Sequence, residues 1–297
     1  MSAPARITFA IPFLRPLGYL REALGSVLAQ RRGDWRCLVL DEGVEPETGA
    51  VVAALGDARV EHCRNPVRLG MVDNWNQGIG LATTELVTLL HADDRLLPDY
   101  CDVIFALADA HPRAAGIATD AEIIDTAGRP AFSLADAVKR RLVPAGEPWV
   151  LTGEPGLRAL ARADVVMCPT VAWRPALLDG RRFDPAWKQV QDLDFLARLL
   201  LDGDTIVGTR RRAYAYRRHA ASATSVQTQD LSRFEEEVAL LDRIAAQARE
   251  RGWTTAARAA EGKTIVKLHL AFRALADATS LRGGAALRKL RFLAGLR

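Results

Sequence analysis

The 297 residues, 49% of them hydrophobic, suffice for one large α/β domain or two smaller ones around a substantial core. With 40 basic and 36 acidic residues the net charge of +4 is a small difference between large totals, and nucleic-acid binding is not implied. Cys37, Cys63, Cys101 and Cys168 form no CxxC pair, the opening MSAPARITFAIPF lacks the layout of a signal peptide, and no run nears the ~20 apolar residues that span a bilayer, so the expected setting is the reducing cytoplasm or the inner face of the membrane.

Short β-like runs alternate with helix-like segments through the first third, the pattern of a parallel sheet flanked by helices. RITFAIPF reads as the first strand and LGYLREALGSVLAQ as the first helix, with apolar residues at helical spacing. WRCLVLDEG is the second strand, and EPETGAVVAALG is a helix with acids in its first turn and glycine after its last. ARVEHCRNP is a weaker strand, MVDNWNQGIGLA a helix and LVTLLHADD the fourth strand; LPDYCDVIFALADAHP and AAGIATDAEIID complete this half. Between Arg129 and Ala163 prolines and glycines surround the basic AVKRRLV, which reads as an inserted mobile segment suited to acceptor contacts. VVMCPTVAWR opens a second half, DLDFLARLLLDG is a helix closed by glycine, and TIVGTRRRAYAYRRH is extended. The chain is helical beyond Thr228, and its end, LRGGAALRKLRFLAGLR, carries basic residues and no acid; it suits an anionic membrane surface or a packed helix with a solvated basic face equally.

Ligands of open α/β sheets bind beyond the carboxyl ends of the strands, and two strands here end in acids: Asp41 and Glu42 after CLVL, Asp93 and Asp94 after LVTLLHA. Carboxylates beside a buried strand need compensation, which a hard divalent cation carrying phosphate oxygens would supply. A helix or turn cap at Asp94 with a solvated Asp93 is the simpler reading of a bare acid pair.

Several segments, in order from about Arg6 to Ser225, resemble the family 2 glycosyltransferases of GT-A fold. ITFAIPFLRPLGYLREALGSVLAQ resembles that family's opening strand, proline turn and helix, with Pro12, Leu20, Ser26 and Gln30 at matching places. CLVLDEG resembles the strand whose first acid contacts the nucleotide base, NPVRLGMVDNWNQGI the segment lining the nucleotide site, and LLHADDRLLPDY the DxD region that holds a metal on the donor diphosphate. VMCPTVAWRPALLDGRRFDP is similar to the acceptor side, VQDLDFLARLL to the Glu-Asp motif whose aspartate is the base, and YAYRRHAASATS to a closing Arg-x-His-like segment.

The resemblance implies a Rossmann-like, mostly parallel sheet flanked by helices: a GT-A domain over 1–228, with a nucleotide half to 127 and an acceptor half from 128, and a helical extension over 229–297. It implies Asp192 as catalytic base; Pro12, Phe13, Asp41, Arg68, Asn74, Asp93, Arg217 and Arg218 at the donor; and Asp93, Asp94 and His219 around manganese or magnesium. The donor would be a nucleotide-diphosphate sugar, a UDP-sugar by preference, and the acceptor a glycan, lipid-linked or small-molecule hydroxyl in surface glycan synthesis, with contact to the membrane through the C-terminal helix. The chain departs from the pattern at His91, in place of the first DxD acid, and at Gln191, in place of the glutamate before the base. Asp192 also reads as a helix cap, Asp194 is a rival base, Asp41 reads as a turn former before Gly43, and His219 as an exposed histidine among arginines. Those departures keep open a non-catalytic nucleotide-sugar-binding protein of the same fold. A sugar-phosphate nucleotidylyltransferase fits less well, because IPFLRPLG lacks a glycine-rich basic loop. EGKT, at Glu261 to Thr264, has Ala257 where a P-loop needs its first glycine and reads as a helix interruption.

Overall fold

The alternation within the first strand, β1 (Ile7–Phe13), sends Ile7, Phe9, Ile11 and Phe13 into one core and Ala10 into another. In the computed structural model, which describes residues 4–218, 231–280 and 282–296, those two cores lie on opposite faces of one mixed sheet. β2 (Trp35–Asp41), β3 (Val60–Arg64) and β4 (Leu86–Leu89) join β1 in parallel, in the order β3-β2-β1-β4. β8 (Val171–Trp173) then adds antiparallel to β4, followed by β6 (Ala114–Ile124) and β9 (Thr205–Arg217), which run parallel to each other. Two short strands, β5 (Arg95–Leu96) and β7 (Trp149–Thr152), pair antiparallel with β9.

The first face is covered by α1 (Leu17–Leu28) and α4 (Tyr100–Ala110), and α2 (Thr48–Ala53) adds Val51 and Val52. α1 buries Leu20, Ala23, Leu24 and Val27, the i, i+3, i+4, i+7 stripe its sequence shows. On the other face lie α3 (Met71–Leu81), α6 (Gly153–Ala163), the short α7 (Pro175–Leu178) and α8 (Gln191–Leu201). The helices α9 (Ser232–Glu250), α10 (Thr254–Gly262), α11 (Thr264–Thr279) and α12 (Gly283–Gly295) extend that second core. Phe234, Leu241, Ala256 and Leu270 belong to one apolar cluster with Leu157 of α6 and Phe195 of α8. EGKT is the α10–α11 junction, turned by Lys263 at φ 48°.

The stretch from Arg129 to Ala163 is more regular than its composition suggests, containing α5 (Leu134–Leu142), β7 and α6. The reason is long-range. Trp149 is buried and lies across Gly208 of β9, where a Cβ would fall 2.1 Å from the indole, so the strand pairing depends on a glycine 59 residues away. α5 is anchored by charge: Arg218 pairs with Asp136, Lys139 with Asp164 and Arg140 with Asp120. Val138 and Leu142 of this helix stay exposed.

Candidate active site

A single cleft of about 1190 Å³ runs along the carboxyl ends of β1 and β4 and continues beneath α5, α8 and α11. One wall is built by Pro12, Glu42, Arg68, Trp75, His91 and Asp93, and Phe13 borders it at only 1% exposure, leaving almost no ring surface for stacking. Asp41 is fully buried below this wall: one carboxylate oxygen accepts from Gly43 N at 2.8 Å and the other from His62 Nε2 at 2.8 Å. The neighbouring Glu42 borders the cleft and accepts from Asn65 Nδ2 and from the amide of Gly70, both at 3.1 Å. Gly70 sits at φ 85°, a conformation open to glycine, and leads directly into α3. Asn74 of α3 is spent locally, donating to Leu40 O and accepting from Asn65.

At the turn after β4, a ring nitrogen of His91 and carboxylate oxygens of Asp93 and Asp94 lie within 4.8 Å of one another. The three residues differ in surroundings. Asp94 is 1% exposed; its oxygens accept from Tyr214 Oη at 2.9 Å and from Arg217 N at 2.7 Å. Burial, then the charge of Asp93, pushes the Asp94 carboxyl well above its ordinary range, against those two hydrogen bonds. His91 stacks on Trp75 at 5.2 Å, and burial lowers its pKa so that the neutral imidazole dominates. No group among the described residues reaches His91 Nε2. A neutral imidazole with an unpaired nitrogen beside an acid pair fits a divalent cation, with Asp93 as the carboxylate that borders the cleft.

Arg217 is turned away from the cleft. Its Nε donates to Asp93 O at 2.6 Å, Nη1 to the carbonyls of Asp125 and Thr126, and Nη2 to Glu22 Oε2 at 2.5 Å. With its side chain buried and its donors so committed, it cannot clamp a phosphate, which corrects the expectation drawn from its position in YAYRRH. Arg218 does border the cleft, in a bidentate pair with Asp136 at 2.8 and 2.9 Å. His219 lies outside the described residues.

The same cleft holds a second charge cluster. Asp192, in the first turn of α8, borders it; its Oδ1 accepts from Leu193 N at 2.8 Å. Burial, and then the neighbouring Asp164, raises the Asp192 carboxyl to about 6, while Lys139 and Arg233 pull it down. Asp194, the rival, is fully buried and held by Arg198 at 2.9 Å and by Arg243, so it ties α8 to α9 and has no route to the cleft. The sequence reading did not single out Asp164, Lys139, Arg233 or His269, all of which line the cleft. Only the basic AVKRRLV hinted at Lys139; the others come together through tertiary packing.

The fold matches solved glycosyltransferases of the GT-A class. Staphylococcus aureus TarS residues 1–349, in complex with UDP-GlcNAc, aligns with a TM-score of 0.63 at 16% identity, over 82% of this chain and 66% of that one. The mannosyltransferase PcManGT of Pyrobaculum calidifontis, in complex with GDP-Man and Mn2+, aligns with a TM-score of 0.58 at 15% identity, over 96% and 82%. Among curated proteins, the uncharacterized protein y4gI of Sinorhizobium fredii is 33% identical over 126 residues, 41% of this chain and 14% of that protein. The uncharacterized protein MT1568 of Mycobacterium tuberculosis is 29% identical over 92 residues, 31% of this chain and 29% of its own length, so this chain spans less than a third of either curated relative. The family model for glycosyl transferase family 2 matches residues 8–166, more than half of the chain, and the protein belongs to that family.

Replacing Asp94 with alanine would strip Tyr214 Oη and Arg217 N of their buried acceptor. The expected loss is about 2–4 kcal/mol of unfolding free energy by urea titration; a loss under about 0.5 kcal/mol would reject this anchoring role.

Proposed function

We propose that this glycosyltransferase is an inverting, metal-dependent enzyme that takes a sugar from a nucleotide-diphosphate donor, a UDP-sugar by preference, and attaches it to an acceptor hydroxyl in surface glycan or glycoconjugate synthesis. The observation that carries the reading is one continuous cleft lined both by the His91–Asp93 turn and by the raised carboxyl of Asp192. The nucleotide would lie along Pro12, Glu42, Arg68 and Trp75, with Asp41 and Asn74 shaping that wall from beneath. Asp93, with His91 and the more deeply set Asp94, would hold manganese or magnesium, and His219 remains a proposed ligand. A divalent cation bound there neutralises charge on the departing nucleoside diphosphate. Arg68 supplies further positive charge along the same cleft, and Arg218 borders it in its pair with Asp136.

The acceptor oxygen attacks the anomeric carbon opposite the diphosphate. Its proton passes to Asp192, the new carbon–oxygen bond forms, and the bond to the diphosphate oxygen breaks with its electron pair. Asp192 suits this role because it faces the cleft, whereas Asp194 is locked in ion pairs. A nucleotide-binding protein without turnover is the second reading, and the replacement of two family acids by His91 and Gln191 favours it.

For membrane contact, the support is a stripe on α11 where Leu268, Phe272 and Leu275 are each about three-fifths exposed. The neighbouring α12 exposes Arg288 and Arg291, and Asp277, the only acid between Thr264 and Leu296, is paired with Lys289. No helix among the described residues is long and apolar enough to cross a membrane.

Calorimetric titration with UDP, GDP and dTDP, with and without manganese, is expected to give metal-dependent binding of one nucleotide that Asp93→Ala abolishes; no binding by any of them would reject the donor site. Because Asp192 must be ionised to accept a proton, kcat/KM should be flat above pH 7 and fall about tenfold per unit below pH 6. Asp192→Asn should cost about 10²–10⁴-fold in kcat with nucleotide affinity preserved, and a smaller loss would disqualify it as the base. In sedimentation with phosphatidylglycerol-containing vesicles, the Arg288→Glu/Arg291→Glu variant should partition about tenfold less than the parent protein; equal partitioning would exclude membrane contact through α12.

A further inference from the structure

The cleft around Asp192 is unusual in what its side chains offer a ligand. Asp164 lies at the C-terminal cap of α6 in a left-handed conformation, φ 44°, a backbone region that non-glycine residues rarely occupy. Its Oδ2 accepts from Lys139 Nζ at 3.0 Å, while no donor among the described residues reaches its buried Oδ1. Gln191, directly before Asp192, is 5% exposed and borders the cleft, and its Oε1 likewise has no donor among the described residues. Asp164, Gln191 and Asp192 thus bring hydrogen-bond acceptors to one region, two of them buried and unmet by the described residues.

Charge narrows the ligand that would satisfy them. Lys139 is bonded to Asp164, and Arg233, itself paired with Glu237 at 2.8 Å, acts electrostatically on Asp192 together with Lys139. A phosphate would bring its own acceptor oxygens against acceptors. A neutral group rich in O–H donors meets the unfilled oxygens without disturbing the charge.

We propose that Asp164 and Gln191, together with Asp192, form an acceptor subsite that recognises a carbohydrate through neighbouring hydroxyls. Asp192 takes the proton of the attacking hydroxyl, Asp164 Oδ1 accepts a hydrogen bond from the adjacent one, and Gln191 Oε1 accepts from a third. Lys139 is a positioning residue: it fixes Asp164 from α5, so docking of that helix completes the subsite. The inference rests on the glycosyltransfer reading of the cleft and adds to it the class of acceptor and the residues that select it.

The test pairs Asp164→Asn and Gln191→Leu with deoxy acceptors. With the nucleotide sugar that calorimetry selects as donor, the purified chain is assayed against methyl glucosides, galactosides and mannosides, their monodeoxy analogues, and farnesyl phosphate. Hydrolysis of the donor is followed in parallel. The parent enzyme should prefer one methyl glycoside over the analogue lacking the hydroxyl next to the attacked one by about 10- to 100-fold in kcat/KM. Asp164→Asn should shrink that preference to about threefold or less, chiefly by raising the acceptor KM, as a double-mutant cycle requires of contacting groups. It should also shift the acid limb of donor hydrolysis downward, since it removes a negative charge that acts on Asp192, an effect that mere loosening of α6 would not produce. An undiminished preference in Asp164→Asn, transfer to farnesyl phosphate but to no sugar, or hydrolysis without transfer to any sugar would overturn the subsite while leaving the donor site and base intact. Failure of the parent protein to bind any nucleotide or cleave any donor would instead overturn the glycosyltransfer mechanism on which the subsite depends.

Discussion

The buried carboxylate of Asp94 is the constraint on which the cleft depends. It sits at the end of β4 in the interior, where an unpaired charge or an unmet acceptor would be costly, and β9 supplies both of its partners. Tyr214 and the amide of Arg217 close on its two oxygens, while the Arg217 guanidinium returns to the carbonyl of Asp93 and spreads to Asp125, Thr126 and Glu22. The turn bearing His91 and Asp93 is therefore stapled to a strand more than a hundred residues away. Ser26 of α1 and Gln30 just beyond that helix brace it from the other side, through the amides of Leu96 and Cys101 and the carbonyl of Leu97.

The same strand also holds the segment from Arg129 to Ala163 in place. One residue beyond Arg217, Arg218 holds Asp136 at the start of α5, and earlier in β9 Gly208 receives Trp149 of β7. α5 then delivers Lys139 to Asp164, whose charge acts on Asp192. Asp192 consequently feels two opposed influences: burial and Asp164 favour its protonated form, and Lys139 and Arg233 favour its ionised form. The outcome is a carboxyl poised near neutrality, where a proton acceptor is both sufficiently basic and largely ionised.

Much of this was legible in the chain. Alternation along Ile7–Phe13 and the stripe Leu20, Ala23, Leu24, Val27 depend only on the periods of strand and helix, and the structure follows them. The acids ending LVLDE and LLHADD marked where a ligand would lie, because the carboxyl ends of parallel strands open there. Choosing between neighbours was beyond it. Consecutive residues such as Arg217 and Arg218 differ only in which face of β9 they present, and the register set by Ile124↔Arg217 decides that. Asp93 and Asp94 pose the same difficulty, and so do Asp41 and Glu42: in each pair one carboxylate is consumed beneath the cleft while its neighbour borders it.

By itself the sequence determined the α/β class, the order of strands and helices in the first half, the cleft at the strand ends and Asp192 as the candidate base, since each follows from local period, local chemistry or motif order. Only the tertiary structure decided that Asp194 and Arg217 are structural, that Arg129 to Ala163 folds into ordered elements, and that Asp164, Lys139 and Arg233 act on Asp192. Those outcomes rest on ion pairs, strand register and packing between residues far apart in the chain, and such contacts leave no periodic trace in the sequence around either partner.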